Sequence, residues 1–269
     1  SLKKYGVRLI VHPYLTQFSG LLLSHRQTKY YFKDLRYRNE ILKSLIDSLE
    51  KDHKIIVLSL PPELIDIRMF SWKQYDNSVK YTFRKNLKEQ EEILKNVDPE
   101  IIRKIKKAEK QNFYWDRGST EKLIKDFYHL QSLSLSRQRH NNKFNLDNFI
   151  SLVLSLKRVP FNILFYVVYK SNTPIAGLTI LTFRETAYNW LAGVNPEYFN
   201  TGVNQFLMRN VIQDLCLNQI KYFDLVGANT PGVADYKATY NFDLIPYYGV
   251  KKTIGLYPKI LMKLKETLF

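Results

Sequence analysis

Residues Tyr188 to Tyr247 read "YNWLAGVNPEYFNTGVNQFLMRNVIQDLCLNQIKYFDLVGANTPGVADYKATYNFDLIPY". The apolar period changes along this stretch. "YNWLAGV" is a short apolar run of strand type. From Thr201 to Ile220, Val203, Leu207, Val211 and Leu215 recur every four residues, the mark of an amphipathic helix. "YFDLV" is a second short strand. A glycine-containing loop follows, with Tyr236 and Lys237 beyond it, and "IPYYGV" is a further strand. A strand, a helix and then another strand point to a sheet covered by helices.

Upstream, "NILFYVVYK", "IAGLTILTFR" and "AYNWLAGV" read as three consecutive antiparallel strands joined by the turns "SNTP" and "ET". Helices are expected over about 120–139, with Leu123, Phe127 and Leu130, and over about 146–156. "DPEIIRKIKKAEKQ" carries an N-cap at Asp98, proline at the first helical position and Glu100 beside the positive helix end. On that helix Ile101, Ile105 and Ala108 share one face, and Arg103, Lys106, Lys107 and Lys110 share the other. Nearer the start, residues 34–52 form an amphipathic helix, "KIIVLSLPP" a buried strand and "YTFRKNL" another. Residues 7–12 and 20–23 are short apolar runs, and "YPKILMKLKETLF" reads as a basic amphipathic helix. Residues 120–250 thus read helix, helix, three strands, helix, strand, loop, strand. The fold class is α+β with mixed sheets.

The 269 residues hold 41 lysines and arginines against 25 acidic residues, a net charge of +16. Such a charge favours polyanionic partners: nucleic acid, phosphorylated ligands or an anionic membrane face. The single cysteine, Cys216, excludes internal disulfides and cysteine-based zinc sites. It sits in a helical pattern as a small core residue, and the lack of disulfides fits a cytoplasmic protein. No apolar run approaches the ~20 residues of a membrane span. The five histidines are scattered, and no metal-ligand spacing appears, so no metal site is expected.

The order of these elements resembles the GNAT acyltransferase superfamily. It is most similar to the FemAB-type branch, in which two GNAT-like halves pack together. "DIRMFSW" with the following "YTF" strand resembles the end of the first half. "IIRKIKKAEK" is similar to the family's basic helix, and the opening stretch follows its order of strand, loop, helix, strand, glycine loop and aromatic–lysine pair. The resemblance implies two halves, 1–110 and 111–269, the first incomplete at its N-terminus. It implies transfer of an acyl group from acyl-CoA or aminoacyl-tRNA to a primary amine, on a cell-wall or polysaccharide precursor, with no permanently bound cofactor.

Such a reaction needs alignment of amine and carbonyl, a route for the proton and a donor to the developing oxyanion, not a fixed triad. The resemblance assigns Lys237, Tyr236 and Tyr240 as catalytic residues, with Tyr247 and Tyr248 as further tyrosines for proton handling. It gives Thr201, Gly202, Asn204, Gly227 and Asn229 to the donor. Here the turn before the helix lacks the glycine-rich signature of acetyl-CoA users, which suits aminoacyl-tRNA users better. Arg68, Trp72, Lys73, Arg103, Lys106 and Lys107 are the acceptor or phosphate candidates. Each also has an ordinary reading: a capped turn, a solvated helix face, an ion pair such as Arg68 with Asp66, or a packed tyrosine. A non-catalytic scaffold and a basic module binding nucleic acid or an anionic surface remain open alternatives.

Overall fold

The computed structural model describes residues 2–4, 6–13, 15–19, 29–87, 96–139, 143–156, 159 and 161–258. The chain forms two compact units. The first comprises residues 1–81 and 245–269, the second residues 82–244. The expected 110/111 division falls inside the second unit. The basic helix expected from Tyr257 lies outside the described residues from 259 onward, as does the apolar run at 20–23.

In the first unit, β1 (Leu2–Lys4) pairs antiparallel with β2 (Val7–Ile10), which runs parallel to β3 (Ile55–Ser59). Helix α1 (Tyr31–Asp52) connects them, three residues longer at its start than its apolar stripe predicts. Strand β10 (Asp243–Thr253) lies antiparallel against β3, with Gly249 opposite Ser59. Leu42 and Ile46 of α1 pack on Ile56, Leu58 and Val250. Phe70, from the short helix α2 (Arg68–Trp72), meets Tyr75 edge-on with ring centroids 5.3 Å apart.

The second unit carries a sheet of order β4-β9-β8-β7-β6-β5. Its strands are β4 (Asp76–Asn86), β5 (Tyr114–Gly118), β6 (Asn162–Lys170), β7 (Thr173–Phe183), β8 (Thr186–Val194) and β9 (Tyr222–Asp224). Strands β5 to β8 pair antiparallel, β9 runs parallel to β8, and β4 runs antiparallel to β9. Strands β4 and β10 each begin in one unit and end in the other.

Strand β6 is apolar from Ile163 to Tyr169 because helices cover both of its faces. Tyr166 and Val168 belong to the core under α3 (Pro99–Glu109) and α6 (Val203–Leu217). Phe165 and Val167 belong to the core under α4 (Glu121–Arg137) and α5 (Leu146–Leu156). Asp98 caps α3 as its sequence predicts, its carboxylate accepting from the Glu100 N–H at 2.8 Å. The segment after Gly227 is not all loop, because residues Pro231–Ala238 form helix α7. Most of its residues are exposed along their length, and only the side-chain ends of Tyr236 and Lys237 reach the interior, so no apolar stripe marks it, and Pro231 at its first turn is the one local signal.

Candidate active site

Strands β8 and β9 pair at Thr186–Tyr222, Ala187–Phe223 and Tyr188–Asp224, and there the ladder ends. Strand β8 continues six residues further, to Val194. Across its other edge, Leu191 faces Thr179 but Asn189 faces Ile180, so Trp190 is an extra, bulged residue. A bulge bends a strand and increases its twist. Beyond Tyr188 the edge of β8 that faced β9 therefore has no strand partner among the described residues. Asn189 stands just past the last pair. Its Oδ1 is buried and has no hydrogen-bond partner among the described residues. Helix α4 holds the far end of β8: Ser134 Oγ accepts from the Val194 N–H at 2.9 Å and donates to the Val194 carbonyl at 3.2 Å.

Asp224 closes β9 and is fully buried. It accepts from Thr82 Oγ1 at 2.5 Å, Arg84 Nε at 3.0 Å and the Val226 N–H at 2.8 Å. Burial pushes its carboxyl above the usual carboxylate range, against the opposing pull of Arg84. Val226 and Gly227 then both take left-handed backbone conformations, at φ 54° and 61°.

Lys237 secures this turn from α7. Its ammonium donates to the main-chain carbonyls of Leu225 at 2.8 Å, Val226, and Gly227 at 2.9 Å. An ammonium has three hydrogens, and these carbonyls take all three. Burial lowers the Lys237 pKa to about 8, with Asp224 acting in the opposite sense. The Tyr236 and Tyr240 hydroxyls sit 2.9 Å apart. Burial raises both phenols above their ordinary value, Tyr240 strongly, so both are protonated near neutrality. Of two linked hydroxyls, one O–H donates inside the pair and one is left for a third group.

The turn into α6 brings together residues that the sequence assigned to two roles. A 3-10 turn, Pro196–Thr201, precedes the helix, and Thr201 Oγ1 donates to the Tyr198 carbonyl at 2.6 Å. Gly202 has φ +85°, and a methyl group there would run into the main-chain carbonyl of Lys104. Its glycine is thus explained by the close approach of α3. From the same α3, Lys107 Nζ donates to the Asn200 carbonyl at 2.8 Å, which sets a cation on the turn that leads into α6. Arg103 is paired with Glu100 at 2.5 Å. Lys106 and Asn229 are exposed, and Asn204 is half-buried.

The remaining candidates lie in the first unit. Arg68 grips Asp66 through Nε at 2.9 Å and Nη2 at 2.7 Å and lies 5.6 Å from the Trp72 ring. Lys73 pairs with Asp47. Tyr247 accepts from Gln17 Nε2 at 2.9 Å, and the Tyr248 carbonyl accepts from the Leu60 N–H. A polar cluster that sequence reading missed joins Asp214 of α6 to the Tyr166 hydroxyl at 2.7 Å and to Arg117 of β5. Only the aspartate within the otherwise apolar α6 pattern hinted at it. Among the described residues no group of three or more metal-ligating side chains occurs, and no helix is long and apolar enough to cross a membrane.

The sequence profile of the family described as acetyltransferase (GNAT) domain matches residues 96–238. The chain belongs to this family. Three solved structures share the fold. FemX aligns with a TM-score of 0.67 and 11% identity, over 84% of this chain and 79% of that one. The C-terminal (DUF2156) domain of a protein described as a lysylphosphatidylglycerol synthetase from Agrobacterium fabrum gives 0.63 and 11%, over 86% and 77%. A tandem GNAT protein from the clavulanic acid biosynthesis pathway gives 0.52 and 8%, over 87% and 74%. At these identities the likeness is one of fold. No curated protein matches the chain in sequence.

Proposed function

We propose that the protein is an N-acyltransferase of the FemAB-type branch, moving an acyl or aminoacyl group from an activated donor to a primary amine. The observation that carries this reading is the opening between β8 and β9 beyond Tyr188 and Asp224. The donor carbonyl lies there along the free edge of β8. The amine nitrogen attacks it, a C–N bond forms, and the C–S or C–O bond to the carrier breaks. Asn189 Oδ1 accepts an N–H of the incoming amine. The free O–H of the Tyr236–Tyr240 pair protonates the departing sulfur or oxygen, and the phenolate so formed takes the proton that the amine nitrogen loses, which restores the phenol. Lys107, on the turn that leads into α6, takes a donor phosphate. Lys237 positions the turn at 225–227 and does not itself touch substrate.

The turn into α6 has a single glycine, and that glycine is committed to packing on Lys104. This supports aminoacyl-tRNA over acetyl-CoA as donor. So does the fold shared with a protein described as a lysylphosphatidylglycerol synthetase. The acceptor amine on a cell-wall or polysaccharide precursor, and a cytoplasmic site of action, are part of the same proposal.

The test incubates the chain with acetyl-CoA or aminoacyl-tRNA and a panel of amines, and follows release of free thiol or deacylated tRNA. Lys107→Ala is expected to raise the donor KM about tenfold with kcat unchanged, as for loss of uniform binding to one charge. Absence of both donor binding and transfer would overturn the reading. A second reading, a scaffold without catalysis, is favoured by the full engagement of the Lys237 ammonium on its own loop. Under it, donor binding is absent or indifferent to Lys107→Ala.

A further inference from the structure

The surface formed by α1 and α2 in the first unit exposes large apolar side chains. Tyr31 is 78% exposed, Phe32 59%, Ile65 76% and Trp72 61%. Phe32, Leu35, Arg36, Glu40 and Lys43 of α1 line a shallow groove together with Met69 of α2. Asp66 holds Arg68 above its ordinary pKa and the Tyr31 hydroxyl adds to this, which sets the first turn of α1 beside the start of α2.

Cations surround these side chains. Lys33 Nζ lies 5.0 Å and Lys29 Nζ 5.9 Å from the Tyr30 ring centroid, and Arg68 lies over Trp72. The nearby acids Asp34, Asp66 and Asp47 are paired with Arg38, Arg68 and Lys73, which leaves Glu40 of the groove against four cations. Lys29, Lys33, Arg36 and Lys43 have no acidic partner within ion-pair distance among the described residues. The face is therefore apolar at its tips and net positive around them. Water is a poor solvent for such tips, and so large a cluster of them marks an interaction surface.

We propose that this face docks on a bilayer rich in anionic phospholipid, with Tyr31, Phe32, Ile65 and Trp72 at the boundary of headgroups and acyl chains. Lysines and arginines then lie level with the phosphates. This is the arrangement of interfacial aromatic residues and of basic membrane-surface segments. Nucleic acid fits the face less well. The cations already cover faces of the Tyr30 and Trp72 rings that bases would stack on, and Ile65 and Phe32 gain nothing from a phosphate backbone. The proposal is independent of the acyl-transfer reading.

The experiment mixes the full chain with vesicles of phosphatidylcholine alone or with one third phosphatidylglycerol, at low and high salt, and measures sedimentation. Binding is expected only with phosphatidylglycerol, weakening with salt. The double substitution Phe32→Asp and Ile65→Asp is expected to weaken it on the order of tenfold or more. These side chains are exposed, so the far-UV circular dichroism spectrum stays that of the parent. Tryptophan emission shifts to the blue on binding, and Trp72→Phe removes the shift. Leu217→Ser, an exposed apolar position on α6, leaves binding unchanged. The proposal is overturned if the chain ignores phosphatidylglycerol vesicles or if the double variant binds them as the parent does. It is equally overturned if tRNA binds in their place and loses affinity with the same substitutions.

Discussion

Four glycines of the second unit separate the two reasons a chain keeps a glycine. Gly232 has neither a positive φ nor any atom within 4 Å of an added methyl group. Gly227 has φ +61° but open space. Gly193 has ordinary φ, but a methyl there would lie 2.5 Å from the Gln131 nitrogen and 2.6 Å from the Leu130 carbonyl carbon. Gly202 combines φ +85° with a collision against the Lys104 main chain. Alanine at 232 should stabilise by about 0.4–1 kcal/mol, through loss of freedom in the unfolded chain. Alanine at 227 should cost about 1–2 kcal/mol for the left-handed backbone. Alanine at 193 should cost about 1–3 kcal/mol for overpacking against main chain that cannot rotate away. Alanine at 202 carries both costs, about 2–5 kcal/mol. Urea unfolding followed by circular dichroism reads these as midpoint shifts at constant slope, about 1–1.5 M for a loss of 3 kcal/mol. Should Gly202→Ala cost no more than Gly227→Ala, the packing of α3 on the start of α6 is not as described. The explanation of Gly202 by packing would then fall.

The Lys237 side chain, followed by its 13Cε resonance, should titrate near its pKa of about 8, against an ordinary value of 10.5; a midpoint above 10 would refute its burial. Below pH 8 the lysine is charged in both folded and unfolded chains, and between 8 and 10.5 only the unfolded chain holds the proton. Its contribution to the unfolding free energy therefore rises across that window. Arg84→Met leaves the Asp224 carboxylate buried without its cation and should cost about 3–5 kcal/mol in urea unfolding. Replacing Asp224 by leucine in the same chain should recover much of that loss, and a double variant no better than Arg84→Met would refute the pairing. Ser134→Ala should cost about 1–3 kcal/mol by leaving Val194 unpaired, with faster hydrogen exchange at the Val194 amide; unchanged exchange would show that α4 does not hold this strand.

Local signals in the sequence reached a good part of the fold. The α3 helix was legible from cap to cation row, because Asp98, Pro99 and the spacing of Ile101, Ile105 and Ala108 act within one helix. The meander of β6, β7 and β8 was legible because its turns are short and because β6 and β7 are buried on both faces. Strand β5 was missed: it lies at the sheet edge with most of its side chains outward, so no apolar run marks it. The opening at Trp190 was invisible, since a bulge is a matter of register between strands and leaves no residue signature of its own. For Lys237 the sequence located the residue beside the glycine loop but could not name its partner. An ammonium is as well served by three carbonyls as by one phosphate, and only the left-handed turn at Val226 and Gly227 decides between them.

The chain order of the two units constrains how the protein is made. Strand β3 waits for β10, and Gly249 pairs with Ser59 across nearly two hundred intervening residues. On a ribosome, residues 29–81 emerge long before their sheet partner exists, while residues 82–244 already contain a complete sheet and both of its helical covers. Folding is then sequential by construction. Near its start and its end the middle of the chain pairs with itself, Arg84 opposite Asp224, so once that pairing exists the loop whose entropy the β3–β10 pairing must overcome is shorter. Until that moment the apolar side chains of α1 and β3 have no finished core, which makes the nascent first unit the stage most exposed to aggregation.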